Sequence, residues 1–443
     1  MHTTDIWSAP YAEHPVSGTV RVPGSKSLTN RYLVLAALAP AGSTSRVRRP
    51  LVSRDTRLMR AALEQFGLTF EAAAGDAAWT IHTPETLRSN FAIDAGLAGT
   101  VMRFLPPVAA LTEGSITFDG DEAARTRPIG ALVHGLRDLG IDIDSTDRRD
   151  NGHAGQPGEL VPYLPLVVHG AGSVTDAEVT IDASSSSQFV SALLLAGARF
   201  ERGLRLAHVG AGLPSRPHIE MTLDVLAEAG VIAHELEPGL WVVEPGPIAP
   251  LDVTVEPDLS SAAPFLALAA VTGGTITVPD WPTSTTQAGD AMRGVLTAMG
   301  ATTDIGDTGL RITGPAPGAL RGIDVDLHDV GELTPVIAAV AAHASTPSRL
   351  RGVAHLRGHE TDRLSALHTE LSRMGGHAEQ HDDGLTITPT PLRPAQLQTY
   401  HDHRMAMAAA VLGVRVAGTT VVDVSTTAKT YPDFAHRWTE LVH

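Results

Sequence analysis

Not one of the 443 residues is cysteine, which excludes a disulfide framework, a thiolate nucleophile and any cysteine-ligated metal. Aromatic side chains make up only 4% against 43% hydrophobic residues in all, so the core must be built from Ala, Val, Leu and Ile. Positive charge is also short. Lys and Arg number 33 against 49 Asp and Glu, a net charge of -16, and a mean field of that sign repels nucleic-acid phosphates. No apolar run approaches the roughly 18 residues a membrane span needs. The segment Met1 to His14 carries acidic residues and no apolar core, so it does not read as a secretory signal. A cytoplasmic monomer without nucleic-acid or membrane partners is the expectation.

Lysine is the scarcest charge. Only Lys26 and Lys429 occur, and the other 31 basic residues are arginine. Arginine serves equally well as a solvated surface cation. It cannot replace a compact ammonium that fits beside a phosphate or exchanges a proton, because its guanidinium is planar, forked and permanently charged. Chance survival is the bland reading of two lysines, and their neighbourhoods, Pro23 to Arg31 and Thr426 to Thr430, weigh against it.

The chain repeats. A phrase of Leu, three residues, then Gly recurs at Leu63 to Gly67, Leu136 to Gly140, Leu226 to Gly230, Leu296 to Gly300 and Leu371 to Gly375. It predicts an amphipathic helix closed by a left-handed glycine, followed by a half-exposed strand. Between these lies a second helix type, apolar nearly all round and therefore expected to be buried. It begins near Ser27, Thr100, Ser187, Ser261, Glu332 and His403, at spacings of 73, 87, 74, 71 and 71 residues. Six units of one α/β architecture account for this period. The sixth lacks its own Leu-x-x-x-Gly ending, and Val16 to Val22 is the expected source of its missing strand. That pairing predicts two domains, 1–22 plus 255–443 and 23–254. Ser145 to Leu164 reads as a surface loop.

The informative polar residues cluster at the starts of the apolar helices: Lys26, Ser27 and Arg31; Gly99, Thr100 and Arg103; Ser186, Ser187 and Gln188; Glu332; and Arg404. A Ser or Thr at a helix start is ordinarily only a cap. Several starts that also carry Arg or Lys predict anion sites, since free N–H groups and the helix dipole favour phosphate and carboxylate there. Arg127, Arg216 and Arg363 stand in similarly marked phrases. Other motifs fail: Gly24 to Ser27 lacks the earlier glycine of a P-loop, and His401-Asp402-His403 has no second cluster to complete a metal site.

These motifs resemble the EPSP synthase family (3-phosphoshikimate 1-carboxyvinyltransferases) over essentially the whole chain. The likeness rests on Pro23 to Arg31, Ala98 to Arg103, Arg127-Pro128-Ile129, Ser186 to Phe189, Glu360 to Arg363, Asp402 to Met405 and Ala428-Lys429-Thr430. It implies two globular domains, each of three βαβαββ units, with the active site in the cleft between them. It also implies transfer of the enolpyruvyl group of phosphoenolpyruvate to the 5-hydroxyl of shikimate 3-phosphate, through a tetrahedral intermediate, with no metal or organic cofactor. By the resemblance, Lys26, Ser27, Arg31, Ser186, Ser187, Gln188, Ser215, Arg216 and Glu332 would bind shikimate 3-phosphate in the 23–254 domain and beside it. Lys26, Gly99, Arg127, Arg363, Arg404 and Lys429 would bind phosphoenolpyruvate, the last three from the discontinuous domain. Glu332 would accept the hydroxyl proton, and Glu360, with Lys26, would protonate the methylene carbon.

Five positions depart from the commoner family pattern. Glu332 stands for a frequent Asp, His359 for Lys, Leu97 for Asn, Phe104 for Pro and His218 for Tyr. Two other readings compete. A UDP-amino-sugar enolpyruvyl transferase commonly carries a cysteine, absent here, and a Lys-Asn where this chain has Ser-Lys-Ser. A non-catalytic anion-binding protein on the same scaffold has no need of Glu332 and Glu360.

Overall fold

The computed structural model describes residues 5–150 and 160–443. The chain divides into two compact units, a continuous one, Gly24–Val255, and a split one, Met1–Pro23 with Glu256–His443.

In the continuous unit, helices α1 (Lys26–Leu38), α3 (Gly99–Ala109) and α5 (Gln188–Gly197) alternate with α2 (Arg54–Gln65), α4 (Gly130–Asp138) and α6 (Pro217–Glu228). All of α3, nearly all of α5 and the last eleven residues of α1 are buried, whereas α2 buries only one face. α1, α3 and α5 pack on one another. The split unit repeats the scheme with buried α7 (Leu259–Thr272), α9 (Thr334–Ala342) and α11 (His403–Gly413). Their companions are α8 (Ala291–Ala298), α10 (Arg363–Arg373) and α12 (Phe434–Val442). The buried-helix expectation therefore holds in both units.

Each of the five Leu-x-x-x-Gly phrases closes its helix as expected. Gly67, Gly140, Gly230, Gly300 and Gly375 all have positive φ. In every copy the amide after the glycine returns to the carbonyl of the leucine, at 2.8 to 3.2 Å, which satisfies a carbonyl the helix leaves open.

Every complete sheet has four strands in one order, exemplified by Phe91–Asp94, Glu113–Asp119, Leu160–Ala171 and Asp142–Asp150. The leading strand runs parallel to the second, and the rest are antiparallel. In the first sheet the leading strand is Asp252–Thr254, from the far end of the unit, paired with Thr44–Arg48.

The N-terminal segment corrects one expectation. Gly18–Thr19, within Val16 to Val22, lies parallel to Thr275–Val278 and leads the fourth sheet, not the sixth. The strand that completes the sixth is Ile6–Ser8, antiparallel to Thr420–Val422. The reason is connectivity: the strand that precedes α7 in the chain, Asp252–Thr254, is taken by the first sheet, so the N-terminus supplies the leading strand of the fourth. The expected loop 145–164 is also corrected. Asp142–Asp150 and Leu160–Ala171 pair across it, and its centre, 151–159, lies outside the described residues. Pro162 and Pro165 lie beyond Leu166, the last residue paired with Glu113–Asp119, where Leu160–Ala171 has a neighbour on one side only, the edge setting in which proline is tolerated.

No helix among the described residues is long and apolar enough to cross a membrane.

Candidate active site

In the continuous unit the N-terminal ends of the three buried helices are tied side by side. Ser25 caps α1 through the Leu28 amide. Asn30 Nδ2 donates to Thr100 Oγ1 at 2.7 Å, joining α1 to α3. Arg103 donates to Gln188 Oε1 at 3.0 Å and to the Pro128 carbonyl at 2.9 Å, joining α3 to α5. Ser186 Oγ accepts from the Gln188 amide, and buried Ser187 precedes α5 directly.

Arg31 is 1% exposed, yet every partner it has among the described residues is neutral. Its guanidinium donates to Thr222 Oγ1, Ser191 Oγ and the carbonyls of Ser27 and His218, and stacks on Phe104 with 5.2 Å to the ring centre. Burial pulls its pKa down to about 9, which still leaves it protonated at neutral pH. Arg127, 9% exposed, donates to the Leu97 carbonyl at 3.0 Å and makes no ion pair among the described residues. Gly99 packs against it: a Cβ there would lie 3.0 Å from Arg127 Nη2 and 2.8 Å from Arg103 Nη1. Buried cations without carboxylate partners are costly, and a bound anion removes that cost.

Lys26 belongs to the same region. Its Nζ donates to Asp55 Oδ2 at 3.2 Å, and the Asp55 side chain is 2% exposed. Ser215 sits three residues before His218 in a left-handed conformation, φ 54°. Arg216 is different. Its guanidinium is half-exposed and paired with Glu235 and, at 3.4 Å, with Glu220, and the Glu235 hydrogen bond holds its pKa above the ordinary value.

The split unit holds a second charged group. Arg363 Nε donates to Asp402 Oδ2 at 2.7 Å, and its Nη2 reaches Asp402 Oδ1 at 3.2 Å and Glu360 Oε2 at 2.9 Å. Lys429 Nζ donates to the other oxygen of Glu360 at 2.7 Å. Arg363 Nη1 lies 3.3 Å from His359 Nδ1. Burial disfavours the Arg363 charge, but Asp402 and Glu360 outweigh it and raise the pKa. Asp402 also caps α11 by accepting the Arg404 amide at 2.8 Å. The Arg404 side chain, half-buried in the first turn, makes no ion pair among the described residues. Glu332 lies on the 3-10 turn His328–Leu333 that runs into α9, and accepts from Ser260 Oγ at 3.4 Å. His355 packs against its neighbour Gly331, where a Cβ would lie 2.6 Å from Nε2. Burial pushes the His355 pKa down to about 4, so the ring is neutral at pH 7.

Two participants are not among the residues the sequence singled out. Asp402 stands inside a quoted motif and was open to inclusion. Asp55 has no local signal, since only the fold brings it to Lys26. Two family departures become explicable: Leu97 is used through its carbonyl, which any residue supplies, and Phe104 offers Arg31 an aromatic face.

Repeated sheets over buried helices are the architecture of enolpyruvyl transferases. EPSP synthase from Acinetobacter baumannii superposes with a TM-score of 0.79 at 22% identity, covering 99% of this chain and 98% of that one. The enolpyruvyl transferase NikO from Streptomyces tendae gives 0.75 at 19% identity, with the same coverage. Sequence narrows the class. The family model described as EPSP synthase (3-phosphoshikimate 1-carboxyvinyltransferase) matches residues 10–438. Proteins named 3-phosphoshikimate 1-carboxyvinyltransferase are 54% identical in Kocuria rhizophila, over 99% of this chain and 97% of that one, and 50% identical in Mycobacterium ulcerans, over 100% and 99%. The chain belongs to the EPSP synthase family.

Proposed function

We propose that this protein transfers the enolpyruvyl group of phosphoenolpyruvate to the 5-hydroxyl of shikimate 3-phosphate and releases inorganic phosphate, a step of the shikimate pathway toward chorismate and the aromatic amino acids. One observation carries the site assignment. Among the described residues, Arg31, Arg127 and Arg404 are buried or half-buried cations with no carboxylate partner, in a chain of net charge -16. Two substrates with about three negative charges each must lie together, and like unit charges 4 Å apart repel by ~4 kcal/mol at an effective dielectric of 20. Unpaired cations at helix starts offset that repulsion.

Lys26, Ser27, Arg31, Ser186, Ser187, Gln188 and Ser215, with Arg216 beside them, hold the phosphate and carboxylate of the acceptor. Lys26, Gly99, Arg127, Arg363, Arg404 and Lys429 hold the donor. Glu332 takes the proton of the 5-hydroxyl as its oxygen bonds to C2 of phosphoenolpyruvate. Glu360, with Lys26, delivers a proton to C3. Loss of a proton from C3 and departure of phosphate from C2 then regenerate the double bond, so atoms and charges balance. Lys26 suits proton exchange because its compact ammonium can lose a proton where a guanidinium cannot.

A phosphate-release assay tests this: release is expected only when shikimate 3-phosphate and phosphoenolpyruvate are both present. Release with a UDP-amino sugar in place of shikimate 3-phosphate, or with neither acceptor, overturns it.

A further inference from the structure

Two consecutive non-glycine residues, Tyr400 and His401, adopt left-handed backbone, φ 54° and 55°, immediately before Asp402 and Arg404. L-residues do not hold that conformation without restraint, and bulky ones least of all. The restraint comes from one face of α10. Arg363 and Glu370 are seven residues apart, close to two helical turns, so they point the same way. Glu370 is 2% exposed, and its carboxylate accepts from Tyr400 Oη at 2.6 Å and from the Gln398 amide at 3.0 Å, with Arg373 Nε at 3.1 Å completing its partners. Arg363 grips the other end of the turn through Asp402. Burial and the Glu370 hydrogen bond push the Tyr400 hydroxyl up to about 12, so it stays a donor at working pH.

We infer that Glu370 and Tyr400 are positioning residues for phosphoenolpyruvate: they hold the strained turn that seats Asp402 against Arg363 and aims Arg404 from the start of α11. Neither touches substrate. Loss of the Tyr400–Glu370 bond lets the turn relax toward ordinary backbone, and Asp402 and Arg404 move with it. This rests on the donor-binding reading given above.

Steady-state kinetics on the full chain test it. Tyr400→Phe removes one hydroxyl and should raise KM for phosphoenolpyruvate roughly tenfold or more, the loss expected of one hydrogen bond to a charged group. KM for shikimate 3-phosphate and kcat at saturation should stay within about twofold. Adding His401→Gly should restore most of the loss, because glycine adopts the left-handed turn without the clamp. A purely structural hydroxyl would not be rescued by relieving backbone strain elsewhere. An unchanged KM in Tyr400→Phe, or no recovery in the double variant, overturns the inference. Arg404→Ala separates the two readings. If it also leaves KM for phosphoenolpyruvate unchanged, the donor-site reading fails; if it alone raises KM, only the clamp fails.

Discussion

The Lys26 ammonium lies 3.2 Å from the buried carboxylate of Asp55, so one of only two lysines in the chain is oriented by an acid on the neighbouring helix α2. An arginine at 26 would turn its fork onto Asp55 and could not exchange a proton. Lys26→Arg should therefore lower kcat/KM by about 100-fold or more, the range of general acid–base contributions. Its melting temperature should stay within about 3 °C of the parent's, the shift that a change of about 1 kcal/mol produces in a unit of this size. Coupled phosphate-release kinetics and a thermal melt check both halves, and near-normal turnover would refute a special role for this lysine.

Gly99 stands where two guanidinium groups approach the backbone, with no room for a Cβ between Arg103 and Arg127. Gly99→Ala should push Arg127 off the Leu97 carbonyl. We expect KM for phosphoenolpyruvate to rise roughly tenfold, about 1.4 kcal/mol of lost binding, with KM for shikimate 3-phosphate much less affected. An equal rise for both substrates would show that the methyl group disturbs the unit broadly.

Period and punctuation make much of the fold legible in the sequence. The five Leu-x-x-x-Gly phrases are local hydrogen-bonded structures, so the sequence alone specifies them, as Gly140 and Gly375 show by their φ of 82° and 77°. Strand pairing between distant segments is not local, which is why Gly18–Thr19 was assigned to the wrong sheet and Ile6–Ser8 was missed. The charged residues at helix starts were readable from composition, because a scarce lysine or a Ser-Ser-Gln phrase stands out. Their partners were not. Asp55 and Glu370 resemble any helical acid until folding places them beside Lys26 and Tyr400.

Lys429 and Glu360 form a pair whose side chains are only 10% and 11% exposed, 2.7 Å apart. Removing Glu360 leaves Lys429 desolvated and short of this counter-charge, and removing Lys429 leaves one oxygen of the Glu360 carboxylate without its cation while Arg363 still holds the other. Lys429→Met and Glu360→Gln should each destabilise the protein, and the double variant should lose less than their sum. A coupling of about 1 kcal/mol or more is expected for groups in direct contact. Urea unfolding of the four proteins measures it; additive effects would show that the pair contributes nothing as a pair.

Acid should destabilise the split unit through two histidines. Burial holds the rings of His343 and His355 at pKa values of about 4, below the ordinary 6.5. Between those values the unfolded chain binds protons that the folded chain refuses, so stability rises with pH across this window. Both rings are neutral in both states at pH 7.5, where the stability is fully present, and it is lost as pH falls from about 6.5 toward 4. At 1.36 kcal/mol per pKa unit, reduced for partial solvent access, each ring accounts for ~2 kcal/mol. Carboxylates titrate over the lower part of the same range, so the variants carry the test. Urea unfolding at pH 7.5 and pH 4.5 should show a smaller loss in His343→Gln and in His355→Gln than in the parent, because a glutamine amide takes up no proton in either state. Equal losses in all three proteins would mean that these rings accept protons in the folded chain as readily as in the unfolded one.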